Sequence, residues 1–542
     1  MPEIVTLIEL VASFFRQVRE REMSQLKSKT TAQASRYETP AAIYLMIIFI
    51  YALSAMRCSS NDEVTPAVTE GESVAISAEY VPGISEGLND NGSDDDDLIE
   101  NSTFDKTVLI TFGSPTEILN PLQGAGVEIA DDNGDVIITS TIKGVAYELS
   151  GITSNGSVKI YSDNKFKLTL NGVQITNSDG PAINIQSSKT AFVVLADGTE
   201  NGLTDGKTYA TSSEDMKGTF FSEGQLVFSG AGSLTVIGNY KHGIVSDDYI
   251  RVRSGNIEVA GAATDGIHAN EAFIADGGTF KISAASDGID CEEGHIIINA
   301  GDFNFNVADD GIAASYEDGD ESIDPYVTIN GGKINVISTE GEGIESKSTL
   351  TINDGTITTT TTDDGLNAGK AININGGMVY SYSAGNDGMD SNGTFTITGG
   401  IVIAIGASGP EAGIDCDART LAITGGIVVG IGGATSAPSQ NASSVPSVIM
   451  GAGKYNQLVS VVSTDGTHVV TFLAPTAFNT MLIGGSRLEL NKTYTIFTGG
   501  EVVDGTEFNG LYTGGTYVTG DAGGNFTTGN IVTQLGGSVS RG

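Results

Sequence analysis

The chain is expected to fold as an all-β protein. It should be a parallel β-helix, a solenoid of 22–23 residues per coil, closed by a C-terminal β cap or small β domain. Three observations predict this. Glycine fills 72 of the 542 positions, nearly twice its usual share of roughly 7%. A short phrase returns as HGI at 242–244, DGIH at 265–268, DGID at 287–290, DGIA at 310–313, EGIE at 342–345, DGLN at 364–367, DGMD at 387–390 and AGID at 412–415, so that its glycines step by 23, 22, 23, 32, 22, 23 and 25 residues. A second glycine phrase keeps the same beat (DGG at 276–278, NGG at 330–332, NGG at 375–377, TGG at 398–400), and alternating runs such as FNFNV, INVIS and IVIAI follow it. Period-two strands between glycine turns at a fixed spacing mean coils stacked as parallel ladders. Leucine-rich repeats share the period but not the leucine and asparagine pattern, and propeller blades need about 40–45 residues.

In chain order, residues 1–58 read as a leader. The run AAIYLMIIFIYALSA at 41–55 has the length of a signal-peptide core rather than of a membrane span. Cys58 follows it, as in a bacterial lipoprotein signal, and is the candidate lipidation site. Met56-Arg57 stand where that pattern has small residues, and cleavage after Ala52-Leu53-Ser54 is the alternative. The protein is expected to be exported, as an outer-membrane or cell-surface lipoprotein or else secreted. Residues 59–103, with GSDDDD, read as an acidic disordered tether. Residues 104–432 should form the β-helix, its first coils less regular. Residues 433–542, where the beat stops, should form the cap, because an open solenoid end must be covered.

With 27 Lys and Arg against 67 Asp and Glu, the formal net charge is −40. That field repels phosphate backbones, so nucleic acid is not an expected partner. The informative column is the acid before each DG glycine: Asp265, Asp287, Asp310, Glu342, Asp364 and Asp387, doubled by Asp309 and Asp363 and accompanied beyond the turn by Asp290, Glu345, Asp390 and Asp415. Carboxylates ~5 Å apart repel by about 1 kcal/mol in water and several times that near a surface. One reading is that each Asp only caps backbone amides of its turn. The other adds a cation, and calcium suits a flexible all-oxygen column. Asp265, Asp287, Asp290, Asp309, Asp310, Glu342, Asp363, Asp364, Asp387 and Asp390 are the candidate ligands. The step of 32, about nine residues longer than the others, holds the insertion SYEDGDESID at 315–324, which is either a calcium loop or a solvated one.

The four histidines fit no zinc motif, although His268 occupies the slot of Asp290 one coil later. Cys291 and Cys416 occupy equivalent slots five coils apart, too far for a disulfide, and should point inward. Alternation turns Tyr380 and Tyr382 outward beside Ile403, Ile405, Val429 and Ile431, an apolar strip that is either a platform for sugar rings or a surface covered by the C-terminal region. A lyase would draw its base from Lys347, Lys370, Arg251, Arg253 or Arg419, and no spacing singles one out.

The runs LNGVQITNSDGPAINIQ, LADGTENGLTDG, GSLTVIGNYKHGIVSDDYIRVRSGNIEV, the DGI coils and TGGEVVDGTEFNGLYTGGTYVTG resemble one family over roughly 104–540. It is the pectate-lyase-like, calcium-containing β-helix family of carbohydrate-binding domain-containing proteins. The resemblance implies a secreted right-handed parallel β-helix with bound calcium. It also implies binding to plant cell-wall polysaccharide, both pectin-type polyuronate and cellulose, without catalysis. A polysaccharide is thus the expected partner, with membrane contact only through a lipid at Cys58, and the chain should be a monomer. A calcium-dependent polysaccharide lyase and a structural surface adhesin are the alternatives.

Overall fold

The computed structural model describes residues 68–316 and 322–540. The leader, Cys58, the start of the tether and the acids Glu317, Asp318, Asp320 and Glu321 lie outside the described residues. Residues 66–542 belong to one compact unit. About 13 coils stack as a parallel β-solenoid over residues 135–431, with further strands at the C-terminus.

Each regular coil contributes three strands. One is the three-residue strand after the DG turn, such as Ile289–Cys291. The next is a short apolar strand, such as His295–Ile298, and the third is the alternating strand after the second glycine turn, such as Asp302–Val307. Equivalent residues pair coil to coil, Ile289 with Ile312 and Phe280 with Phe303. The interior is therefore filled by ladders of like side chains. Ile267, Ile289, Ile312, Ile344, Leu366, Met389 and Ile414 form one ladder, none more than 1% exposed. Phe280 and Phe303 stack with ring centroids 4.3 Å apart. Each such burial contributes roughly 1.5–3 kcal/mol, and the in-register spacing leaves no gaps to fill.

The two glycine phrases work differently. Gly278, Gly301, Gly332, Gly355 and Gly377 adopt positive φ, between 78° and 131°, which an L side chain resists. The DG glycines do not. A Cβ on Gly311 would lie 2.6 Å from the carbonyl oxygen of Gly343 and 2.4 Å from Val336 Cγ1. There glycine is required by the closeness of the next coil, not by a left-handed turn.

The C-terminal region covers both an end and a side. Strand Thr480–Gly485 pairs antiparallel with Ile427–Gly432 and terminates the parallel stacking. A five-stranded sheet, in the order Ser73–Ala75, Leu511–Thr527, His468–Leu473, Leu458–Ser463 and Thr493–Phe508, contributes Val459, Val461, Phe472 and Tyr494 to a cluster with Ile403, Ile405, Val429 and Ile431.

The tether expectation is corrected for its described part. Residues 83–92 lie along the solenoid as a strap, held at the corner before the second glycine turn by a ladder of asparagines. Asn330, Asn353 and Asn375 each donate to the amide oxygen of the asparagine one coil earlier, at 2.8–2.9 Å. Their side-chain amides also donate to strap carbonyls: Asn299 to Asn91, Asn330 to Asp90, Asn353 to Leu88 and Asn375 to Glu86, at 2.5–3.1 Å. Beyond the strap, Asp97 of the acidic run is 2% exposed. It pairs with Arg251 at 3.3 Å and accepts from the Tyr249 hydroxyl. The solenoid thus recognises this segment largely through its main chain, which composition does not report.

Candidate functional site

The DG turns form a corner of the solenoid that the strap does not use. Because the residue after each glycine is fixed in the interior ladder, the acid before it is fixed in a column of its own. That acid caps, but not within its own turn. Asp287 Oδ1 accepts from the amide of Asp310 at 2.8 Å, Asp310 Oδ1 from the amide of Glu342 at 2.7 Å, and Asp364 Oδ1 from the amide of Asp387 at 2.9 Å. Each of these carboxylates satisfies the amide one coil on.

Three carboxylate groups converge in this way: Asp265 with Asp287 and Asp290, Asp287 with Asp309 and Asp310, and Asp387 with Asp390 and Asp415, each with one oxygen per residue within 4.8 Å of the others. Asp415 joins as a ligand candidate. Among the described residues Glu342, Asp363 and Asp364 complete no such trio. Asp363 accepts from the Asn386 amide at 2.6 Å, and Glu342 from the Asn367 amide at 3.2 Å.

The electrostatics record the crowding. Burial, followed by the charge of Asp265, pushes the Asp287 carboxyl up to about 8. Burial lifts Asp364 to about 8, against the hydrogen bond from the Asp387 amide. Asp387 rises to about 7 and Asp390 to about 6, through burial and then chiefly the charge of Asp415. Asp310 is also raised, by burial and by sharing a hydrogen bond with Glu342. Asp390 Oδ1 is buried without a hydrogen-bond partner among the described residues. An all-oxygen donor set, held above the usual carboxylate range and with an orphaned oxygen, fits a hard cation such as calcium.

The first turn differs. Burial alone would raise Asp265, but hydrogen bonds from His242 and His268 hold it well below the usual range. Burial opposes the charge on His268, and Asp265, Asp290 and Glu292 overcome it, lifting the imidazole to about 11. Sequence spacing missed this pair because the two histidines sit in different slots of adjacent coils. His242 holds the acid position of HGI, and His268 pairs in register with Asp290.

Other expected residues are placed as follows. Tyr380 and Tyr382 are half-buried and pack on the apolar cluster beneath the C-terminal sheet. They are not an open platform, because covering the Ile/Val strip removes it from water. Arg251 and Arg253 stand on the strap side, paired with Asp276 and Glu100, and not on the acid edge. Lys347 pairs with Glu345 there. Asp324, at the end of the insertion, pairs with Lys370 at 2.9 Å. Cys291 and Cys416 are buried free thiols.

Fold and site together define a parallel β-solenoid with a carboxylate-lined edge. The sequence profile of carbohydrate-binding domain-containing proteins matches residues 132–388 and 329–448, and the chain belongs to that family. One relative, a carbohydrate-binding domain-containing protein of Acetivibrio thermocellus, is 33% identical over 118 residues, 21% of this chain and 41% of the relative. The chain thus spans less than half of that relative's length. A solved structure, a polysaccharide lyase-like protein from C. thermocellum in a gadolinium derivative, aligns with a TM-score of 0.37 at 22% identity, over 54% of this chain and 98% of that one.

Proposed function

We propose that the protein is an exported, non-catalytic polysaccharide-binding protein that takes pectin-type polyuronates through cations held on its acid edge. The observation that carries this is the convergence of Asp287, Asp309 and Asp310, and of Asp387, Asp390 and Asp415, into groups of carboxylate oxygens. Calcium would be held by these residues. When bound it supplies positive charge at a surface that otherwise repels an acidic polymer.

The chain's own part follows from the geometry. One oxygen of each of Asp265, Asp287, Asp310, Asp364 and Asp387 is committed to a backbone amide of the next coil, which holds its position. The second oxygens then form a rigid row with the solenoid's own spacing, ~4.8 Å per coil. A regular polyanion meets a regular row, and little order has to be created on binding. Membership of a carbohydrate-binding family supports the polymer class. The leader and Cys58 support export.

The test is binding of residues 59–542 to polygalacturonate, with calcium and with chelator, while following ultraviolet absorbance. Binding that chelation abolishes, at constant absorbance, is expected. Rising absorbance from unsaturated product would make the protein a lyase, and absence of binding in both conditions would overturn the polyuronate reading. Cys58→Ala should leave polymer binding intact and abolish labelling by a radioactive fatty acid.

A further inference from the structure

We propose that His242, Asp265 and His268 form a transition-metal site of the zinc class, separate in chemistry from the trios of Asp287, Asp309 and Asp310 and of Asp387, Asp390 and Asp415 further along the edge. His242 Nδ1 lies 2.8 Å from Asp265 Oδ2, and His268 Nδ1 lies 3.3 Å from the same oxygen. The three residues are 9%, 6% and 5% exposed, and one ligand atom from each falls within 4.8 Å of the others. A tetrahedral zinc ion at about 2.0–2.1 Å from its ligands sets them roughly 3.3 Å apart, so the observed separations need little adjustment.

Further features bear on a metal. The imidazoles come from adjacent coils, with centroids 4.3 Å apart and planes 26° from parallel, and both Nδ1 atoms approach the same oxygen of Asp265. Glu292 Oε2 lies 3.4 Å from His268 Nε2, on the far side of the ring. A carboxylate behind a ligating imidazole fixes the ring and raises its basicity. Asp290 Oδ2, 3.0 Å from His268 Nδ1, and Thr264 Oγ1, 2.9 Å from His242 Nδ1, stand ready to complete the coordination directly or through water.

Two nitrogen donors change the selectivity. Imidazole suits zinc, cobalt, nickel and copper, whereas calcium takes oxygen. The metal needs each Nδ1 free of its proton, so binding at this site is pH-dependent. This site does not depend on the polysaccharide reading and stands or falls separately from it.

The experiment is a cobalt(II) titration of the tag-free, metal-stripped full-length protein in excess calcium. One equivalent should give intense visible d–d bands, and zinc should abolish them. His242→Asn and His268→Asn should each lose the bands while keeping calcium binding, and His295→Asn should keep both. No bands in the wild type, or bands that survive both variants, would overturn the proposal. Should the variants fail to fold, electron spin-echo spectra of the copper(II)-loaded wild type count the imidazoles directly. Two support the site, and fewer than two overturn it.

Discussion

Two corners of the same coils carry short polar side chains repeated one strand spacing apart, and they behave in opposite ways. At the strap corner stand Asn299, Asn330, Asn353 and Asn375; at the DG corner stand Asp287, Asp310, Asp364 and Asp387. The two residues have nearly the same shape. An amide donates and accepts, so a column of asparagines satisfies itself and still has a hydrogen for the strap. A carboxylate only accepts, so a column of aspartates must acquire protons or cations. The strap corner is complete within the chain, and the acid corner is incomplete without something from solution.

The largest effect that would sharpen this contrast is on metal-free stability. Asp287, Asp364 and Asp387 have folded values of about 8, 8 and 7, above the unfolded carboxylate value near 4. Folding takes up protons there, so this contribution is fully present below about pH 4 and is lost as pH rises through 7 and 8. Melting of the chelated protein should fall across that window, by several kcal/mol at most since the groups are coupled. Saturating calcium should flatten the curve. A chelated protein equally stable at pH 5 and pH 8 would break the comparison.

Next comes Arg251→Met, which leaves Asp97 and Asp276 without their cation behind the strap. Removing one partner of a buried pair costs about 3–5 kcal/mol, and denaturant melts would read it. Asn353→Asp should cost about 2 kcal/mol, because it removes the donors to Leu88 and Asn330 and sets a charge against their oxygens. Limited proteolysis should then cut between residues 83 and 92 first.

The cap supplies a control of opposite sign. Burial and the nearby Arg487 charge hold His468 down to about 4. Its contribution is therefore complete above pH 6.5 and lost as pH falls toward 4, on the order of 3 kcal/mol. Hydrogen exchange within His468–Leu473 should accelerate over the interval in which the metal-free acid edge gains. The smallest effect is Asp364→Asn. It should stabilise the metal-free protein by about 1 kcal/mol, since the new amide keeps an oxygen for the Asp387 N–H while losing the charge.

Much of this was legible in the residues. The two beats, the interior Ile/Leu/Met ladder and the inward cysteines followed from period and alternation alone. Asn330 and Asn375 were visible inside the NGG phrases, but nothing in a turn reports that a distant strap will rest on it. That strap is bound through its carbonyls, so its acidic side chains pointed to solvation. The Tyr380 and Tyr382 strip was correctly outward, but only the tertiary structure shows what lies over it. The histidine pair escaped because linear spacing compares like slots, whereas contact here joins unlike slots of neighbouring coils.

The antiparallel pairing of Thr480–Gly485 with Ile427–Gly432 has a consequence for size. A stack of near-identical parallel coils contains no instruction about how many there should be, and its last ladder would accept the first coil of another molecule. Here that ladder is closed by a strand running the opposite way, whose far edge is already taken by Ser447–Met450. The place another molecule's coil would occupy is filled by the chain itself, and the length of the stack is set there.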